Sequence, residues 1–133
     1  IAKRDVKMVA ITDHGVMHGC VDFINKAKPY GIKPILGCEF NVSGCLPDSP
    51  EKLFHLTAIC RTLDGYKNAL ALISRANIEC YHAETGIGTL KFEWFKDHAQ
   101  GLTILSGDLG SELAQTVLRD GDIRLSLASF ISK

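Results

Sequence analysis

Five residues could do chemistry together: Asp13, His14, Glu39, His55 and Asp108. Asp13 and His14 end an apolar run, Val9-Ala10-Ile11-Thr12, and Gly15 follows them. Glu39 interrupts the apolar stretch Ile35 to Phe40, and His55 sits within Phe54 to Cys60. Asp108 follows Leu102-Thr103-Ile104-Leu105-Ser106-Gly107. Burying an unpaired charge is expensive, so a carboxylate or imidazole beside each apolar segment needs a reason. One shared site is such a reason. Imidazole and carboxylate ligands suit zinc, manganese or iron, and several carboxylates favour the harder ions. Two or three such ions clamping a phosphate would be a natural use, and the same groups could also move protons.

Each residue also has an ordinary account. Asp13 would cap the next helix, and His14 would be a turn residue. Glu39 would be solvated near a strand end, and His55 would be a satisfied core histidine. Asp108 would start the turn before Ser111. His55 also lies early in its strand, which fits poorly with a site at the C-terminal ends of parallel strands.

The elements that must position these residues follow from periodicity. Residues 1–6 read as the end of a helix, and Lys7 to Thr12 as the first strand. Met17, Cys20, Val21, Ile24 and Ala27 mark one face of a helix over 17–28, which Pro29 to Gly31 ends. Lys33 to Val42 is expected to be a strand, with Pro34 at its tolerant start. Residues 43–51, bearing Gly44, Pro47 and Pro50, read as a loop. A third strand is expected over Phe54 to Arg61. A long helix follows over Leu63 to Glu79, with Asp64 at its start and Tyr66, Ala69, Leu70, Ile73 and Ala76 as its stripe. Cys80 to Thr89 reads as a glycine-bearing loop. Phe92 to Ala99 is a short helix ended by Gly101. Leu102 to Ser106 is a fourth strand, Ser111 to Leu118 a helix, and Ile123 to Ile131 a further helix.

Alternating strands and helices argue for a parallel α/β sheet or barrel. A closed eight-strand barrel needs roughly 200 residues or more. The 133 residues here read as an open part of one, a fragment of a single domain that begins at Ile1 in polar, helix-like sequence.

Composition narrows the function classes. The chain is 46% hydrophobic and 23% charged, an ordinary globular balance. No apolar run approaches the length of a membrane span. Its 15 basic and 15 acidic residues cancel, so it carries no strong electrostatic footprint for DNA. Any main grip on nucleic acid would lie elsewhere in a larger protein. Cys20, Cys38, Cys45, Cys60 and Cys80 are odd in number and form no Cys-x-x-Cys pair. That argues against a disulfide framework or zinc knuckle and for a reducing cytoplasm. His14 and His18 do not form a helical metal pair, since His14 belongs to the strand exit and no His-Glu-x-x-His occurs. His18, His82 and His98 read as surface residues. No phosphate-binding glycine loop and no local nucleophile signature is present.

Three segments, Ala10-Ile11-Thr12-Asp13-His14-Gly15, Gly31-Ile32-Lys33-Pro34-Ile35-Leu36-Gly37-Cys38-Glu39 and His55-Leu56-Thr57, resemble the polymerase and histidinol phosphatase (PHP) domain. Gly65-Tyr66-Lys67-Asn68, Leu72 to Ala76 and Gly101 to Gly107 resemble, more narrowly, the form found in bacterial DNA polymerase III alpha subunits. The likeness runs from the start of the chain to about Leu118.

The resemblance implies a partial PHP-type distorted seven-stranded β/α barrel, lacking its N- and C-terminal parts, with metals at its mouth. It places His14, Glu39 and His55 on metal-ligand positions. Asp108 falls where the family usually has a cysteine, a change that alters ion preference or weakens the site. Asp13 takes a catalytic supporting role, hydrogen-bonding near the metals. The His-x-His motif that opens the family domain would precede Ile1, and its closing Asp-x-His would follow Lys133.

The implied function is that of a DNA-directed DNA polymerase, a nucleotidyltransferase of DNA replication. Its magnesium site would lie outside this chain, and zinc or manganese would sit in the PHP site. DNA, deoxynucleoside triphosphates and other replicase subunits would be its partners, in the cytoplasm and away from membranes. Within the domain the implied chemistry is metal-dependent phosphoester hydrolysis, including 3′–5′ exonuclease action, unless lost ligands have left a structural platform. A stand-alone phosphoesterase such as histidinol phosphatase is the alternative.

Overall fold

A computed structural model describes residues 5–43, 53–84, 86–122 and 124. Its centre is a single long strand, β2 (Lys33–Ser43), which is registered to three others. The elements run β1 (Met8–His14), α1 (Cys20–Ala27), β2, β3 (Leu53–Cys60), α2 (Leu63–Glu79), β4 (Tyr81–His82), β5 (Ile87–Leu90), α3 (Phe95–His98), β6 (Leu102–Leu105) and α4 (Glu112–Asp120).

β1 lies parallel to β2 over Lys33 to Glu39, and β5 lies parallel to it at Asn41 and Val42. β3 occupies the opposite edge of β2, antiparallel, and β6 is antiparallel to β3. β1 and β5 therefore stand end to end along one edge of β2. Gly15, with φ 68°, turns the chain off that edge, and its N–H donates to the Glu39 carbonyl at 2.7 Å. A Cβ at Gly15 would collide with Ile87 of β5, so the change of neighbour requires glycine there.

The sheet is mixed, which corrects the parallel expectation. The physical reason is the link between β2 and β3. A parallel crossover needs a dozen or more residues, usually helical, and only residues 44–52 separate these strands. The segment read as a loop over Cys80 to Thr89 contains the β4–β5 hairpin instead. The sheet has six strands beside four helices and does not close into a barrel among the described residues. Apart from Arg124, the expected terminal helix over 123–131 lies outside the described residues, as do Cys45 and the residues before Asp5.

The core lies between the sheet and its helices. Cys38, Phe40 and Val42 of β2 meet Leu56 and Ala58 of β3, Ala69, Leu72 and Ala76 of α2, and Trp94 and Phe95. α2 starts at the expected place, but its cap is Thr62, whose Oγ1 accepts from the Gly65 N–H at 3.1 Å; Asp64 lies inside the first turn. α1 is shorter than its apolar pattern, beginning at Cys20, and its buried residues are Cys20 and Ala27; Val21 is exposed.

Candidate functional site

Strand alternation divides the sheet chemically. Cys38, Phe40 and Val42 point to the helices, so Gly37, Glu39 and Asn41 belong to the opposite face. His14 is registered to Glu39, and Thr57 is registered to Glu39 from the other side. His55 is registered to Asn41. His14, Glu39 and His55 therefore share one face.

They also meet. His14 Nδ1 and Glu39 Oε1 lie 2.6 Å apart, with both side chains about one-third exposed, at 35% and 38%. The His14 and His55 rings stand edge to face, with centroids 4.9 Å apart at 81°. The early place of His55 in its strand is no obstacle. β3 runs antiparallel to β2, so its beginning lies beside the C-terminal half of β2.

In the tautomer that donates from Nδ1 to Glu39, His14 keeps Nε2 free as a ligand atom. Two imidazoles and a carboxylate on one face are a donor set that fits a borderline divalent ion. Among the described residues, however, no three His, Cys, Asp or Glu side chains already surround a common point. The nearest atoms of His14 and Glu39 face each other.

Asp13 is placed differently from the expectation. It alternates with His14 and so belongs to the helix side of β1. Its carboxylate lies against Gly19, the residue that precedes α1: a Cβ there would stand 2.9 Å from Asp13 Oδ2. A carboxylate at a helix N-terminus is favourable, which is the ordinary account given for Asp13 from sequence.

Asp108 sits in the turn after β6. Its Oδ1 accepts from the Gly110 N–H at 2.8 Å, and its carbonyl accepts from the Ser111 N–H at 3.0 Å. Gly107, at φ 86°, packs so closely on the His55 carbonyl that a Cβ there would collide with it. The turn therefore adjoins His55, while the Asp108 carboxylate is engaged by its own turn.

Cys38 lies directly behind the pair. Its thiol donates to the carbonyls of Asp13 at 3.3 Å and Glu39 at 3.5 Å. Burial pushes its pKa up to about 12, with Cys20, Cys60 and Asp13 adding to the rise and a Gly15 backbone hydrogen bond opposing it. Such a thiol is an inert structural group. Two surface grooves of about 500 and 440 Å³ lie beside α4 and α3 and include none of the five residues.

Three neutral side chains on the site face were missed from sequence: Asn41, Thr57 and Thr89. Asn41 and Thr57 each stand two positions from a singled-out residue, a usable signal in a strand. Thr89 carried none, because its segment read as a loop.

The described residues thus form a mixed α/β sheet with imidazoles and a carboxylate gathered on one face and helices on the other. The PHP domain family matches residues 1–131, and the chain belongs to that family. It is similar to the DNA polymerase III subunit alpha of Thermus aquaticus, at 39% identity over 127 residues, covering 90% of this chain and 10% of the relative. The subunit of Deinococcus radiodurans is 37% identical over 130 residues, with the same coverage of each. That of Buchnera aphidicola subsp. Acyrthosiphon pisum is 34% identical over 133 residues, covering 99% and 11%. The chain thus spans about a tenth of the length of the curated relatives it matches.

Proposed function

We propose that this chain is part of the N-terminal PHP domain of a replicative DNA polymerase alpha subunit, and that its open face hydrolyses phosphoesters with divalent metal. The observation that carries the reading is the convergence of His14, Glu39 and His55, from three strands, on the face away from the helices. His14 Nε2, His55 and the remaining oxygen of Glu39 would hold zinc or manganese, and Asp108 would reach the same ions once released from its turn. When bound, the ions would supply an activated water and neutralise charge at phosphorus, the requirement of a 3′–5′ exonuclease.

The chain's own residues orient and exclude. Glu39 holds the His14 ring by its Nδ1–H, which sets the direction of Nε2. Asp13, next to His14 in β1 and with its carboxylate against Gly19, would support the metal site from behind His14 rather than ligate. DNA, deoxynucleoside triphosphates, magnesium and other replicase subunits would engage the rest of the protein, in the cytoplasm. The zero net charge of this chain agrees with a DNA grip placed elsewhere. Likeness to polymerase subunits along nearly the whole chain weighs against a stand-alone histidinol phosphatase.

A second reading, a structural platform that has lost its metals, is favoured by one observation: Asp108 spends its carboxylate on Gly110. Manganese and zinc content of the intact protein separates the two. The expected result is bound metal in the wild type and its loss in His14→Ala and His55→Ala. Equal metal content in all three would sink the ligand assignment and favour the platform.

A further inference from the structure

The register that gathers His14, Glu39 and His55 also builds a second row. The first row reads His14, Glu39, Thr57 across β1, β2 and β3. The second reads Thr89, Asn41, His55 across β5, β2 and β3. The rows are two residues apart on β2, about 7 Å. Because β5 takes over the edge that β1 leaves at Gly15, Thr89 follows His14 along that edge. His14 and His55 form the diagonal, and their rings touch across it.

The second row differs in chemistry from the first. Besides His55 it is uncharged. Asn41 is 7% exposed and Thr89 5% exposed. Thr89 Oγ1 is buried with no hydrogen-bond partner among the described residues. Gly88 packs against Ala76 of α2, which sets Thr89 on the opposite face, with Asn41. Buried hydroxyls nearly always have a partner, so an orphan beside a polar row asks for one from outside the chain.

We propose that Asn41 and Thr89 form, beside His55, a neutral hydrogen-bonding subsite for a phosphoryl oxygen of the substrate. The proposal rests on the phosphoester reading of the same face. A carboxamide offers two N–H donors and a hydroxyl one, all suited to phosphoryl oxygens. Neither group adds a negative charge to repel an anion. His14 and Glu39 of the first row, with His55 reaching across the diagonal, would hold metal; Asn41 and Thr89 of the second row bind what the metal acts on. The phosphoryl group could belong to free phosphate or to a nucleic-acid phosphodiester, and both offer the same oxygens.

The test uses the intact protein loaded with manganese, titrated separately with inorganic phosphate and with a short oligothymidylate. Thr89→Val and Asn41→Ala are expected to keep wild-type manganese content and to lose about tenfold in affinity, the effect of one hydrogen bond to a charged group. Thr89→Val is expected to melt at or above the wild-type temperature, since it replaces an orphaned hydroxyl with a methyl. Thr89→Ser is expected to restore binding. Loss for both probes assigns the subsite to a bare phosphoryl group, and loss for the oligonucleotide alone assigns it to the phosphodiester. Unchanged affinity for both probes in both variants overturns the proposal. If the wild type takes up no manganese, the metal reading fails, and the same comparison on the metal-free protein still decides the subsite.

Discussion

Raising the pH is expected to unlock the sheet at Cys38. This thiol is fully buried between β1 and the helices, and its proton is shared with the Asp13 and Glu39 carbonyls. Burial raises its pKa from 9.0 to about 12. Below pH 9 the thiol is protonated in both folded and unfolded chains, so it contributes no pH dependence. Between pH 9 and 12 the unfolded chain releases the proton and the folded chain keeps it. Stability therefore falls as pH rises, by about 1.4 kcal/mol per pH unit, or about 4 kcal/mol over the whole interval. Cys20 and Cys60 are shifted upward as well, mainly by burial, and act in the same direction. Urea unfolding followed by circular dichroism, at half-unit steps from pH 8 to 10.5, measures the slope. Cys38→Ala removes this titration while leaving lysines and tyrosines in place, so the difference between the two slopes isolates it. By pH 10.5 the wild type is expected to have lost about 2 kcal/mol more than the variant. Parallel slopes would refute the reasoning and mean that the thiol is reached by solvent or finds a cationic partner.

Two further outcomes are expected. Gly65→Ala would drive a Cβ into the Gly101 carbonyl, where backbone lies on both sides, so urea unfolding is expected to show a loss of at least about 2 kcal/mol; wild-type stability would mean that α2 and the turn before β6 are not in contact. Asp108→Cys is expected to raise zinc uptake relative to manganese when both are offered, because thiolate is the softer ligand; an unchanged ratio would leave Asp108 as the turn residue that its bond to Gly110 describes.

Much of the site was legible because strands write their polar exceptions plainly. Glu39 within Ile35 to Phe40 and His55 within Phe54 to Cys60 stood out against apolar neighbours, and the structure brings both to His14. Asp13 stands apart from this group for a simple reason. It is adjacent to His14 in sequence, and adjacency in a strand means opposite faces. The bounds of helix α2 were legible, since a long amphipathic pattern leaves little freedom, but its buried face includes Leu72 and leaves the expected Leu70 exposed. Strand direction was harder. Periodicity says nothing of parallel or antiparallel, and only the shortness of the link over 44–52 carried that information. The β4–β5 hairpin was hidden because strands of two and four residues, held by backbone pairing and by Gly88 against Ala76, leave almost no pattern in side chains.

β2 serves as a common ruler for the molecule. Three neighbours take their alignment from it, so a single inserted or deleted residue between Lys33 and Val42 would slide all three at once. Every side chain beyond the insertion would change sides, sending Glu39 or Asn41 among the helices and Cys38 or Phe40 into the open. No local repair could realign one neighbour without misaligning another. Length variation in this domain should therefore be borne by the segments that no ruler measures, and the eleven residues of β2 should keep their count while their identities drift.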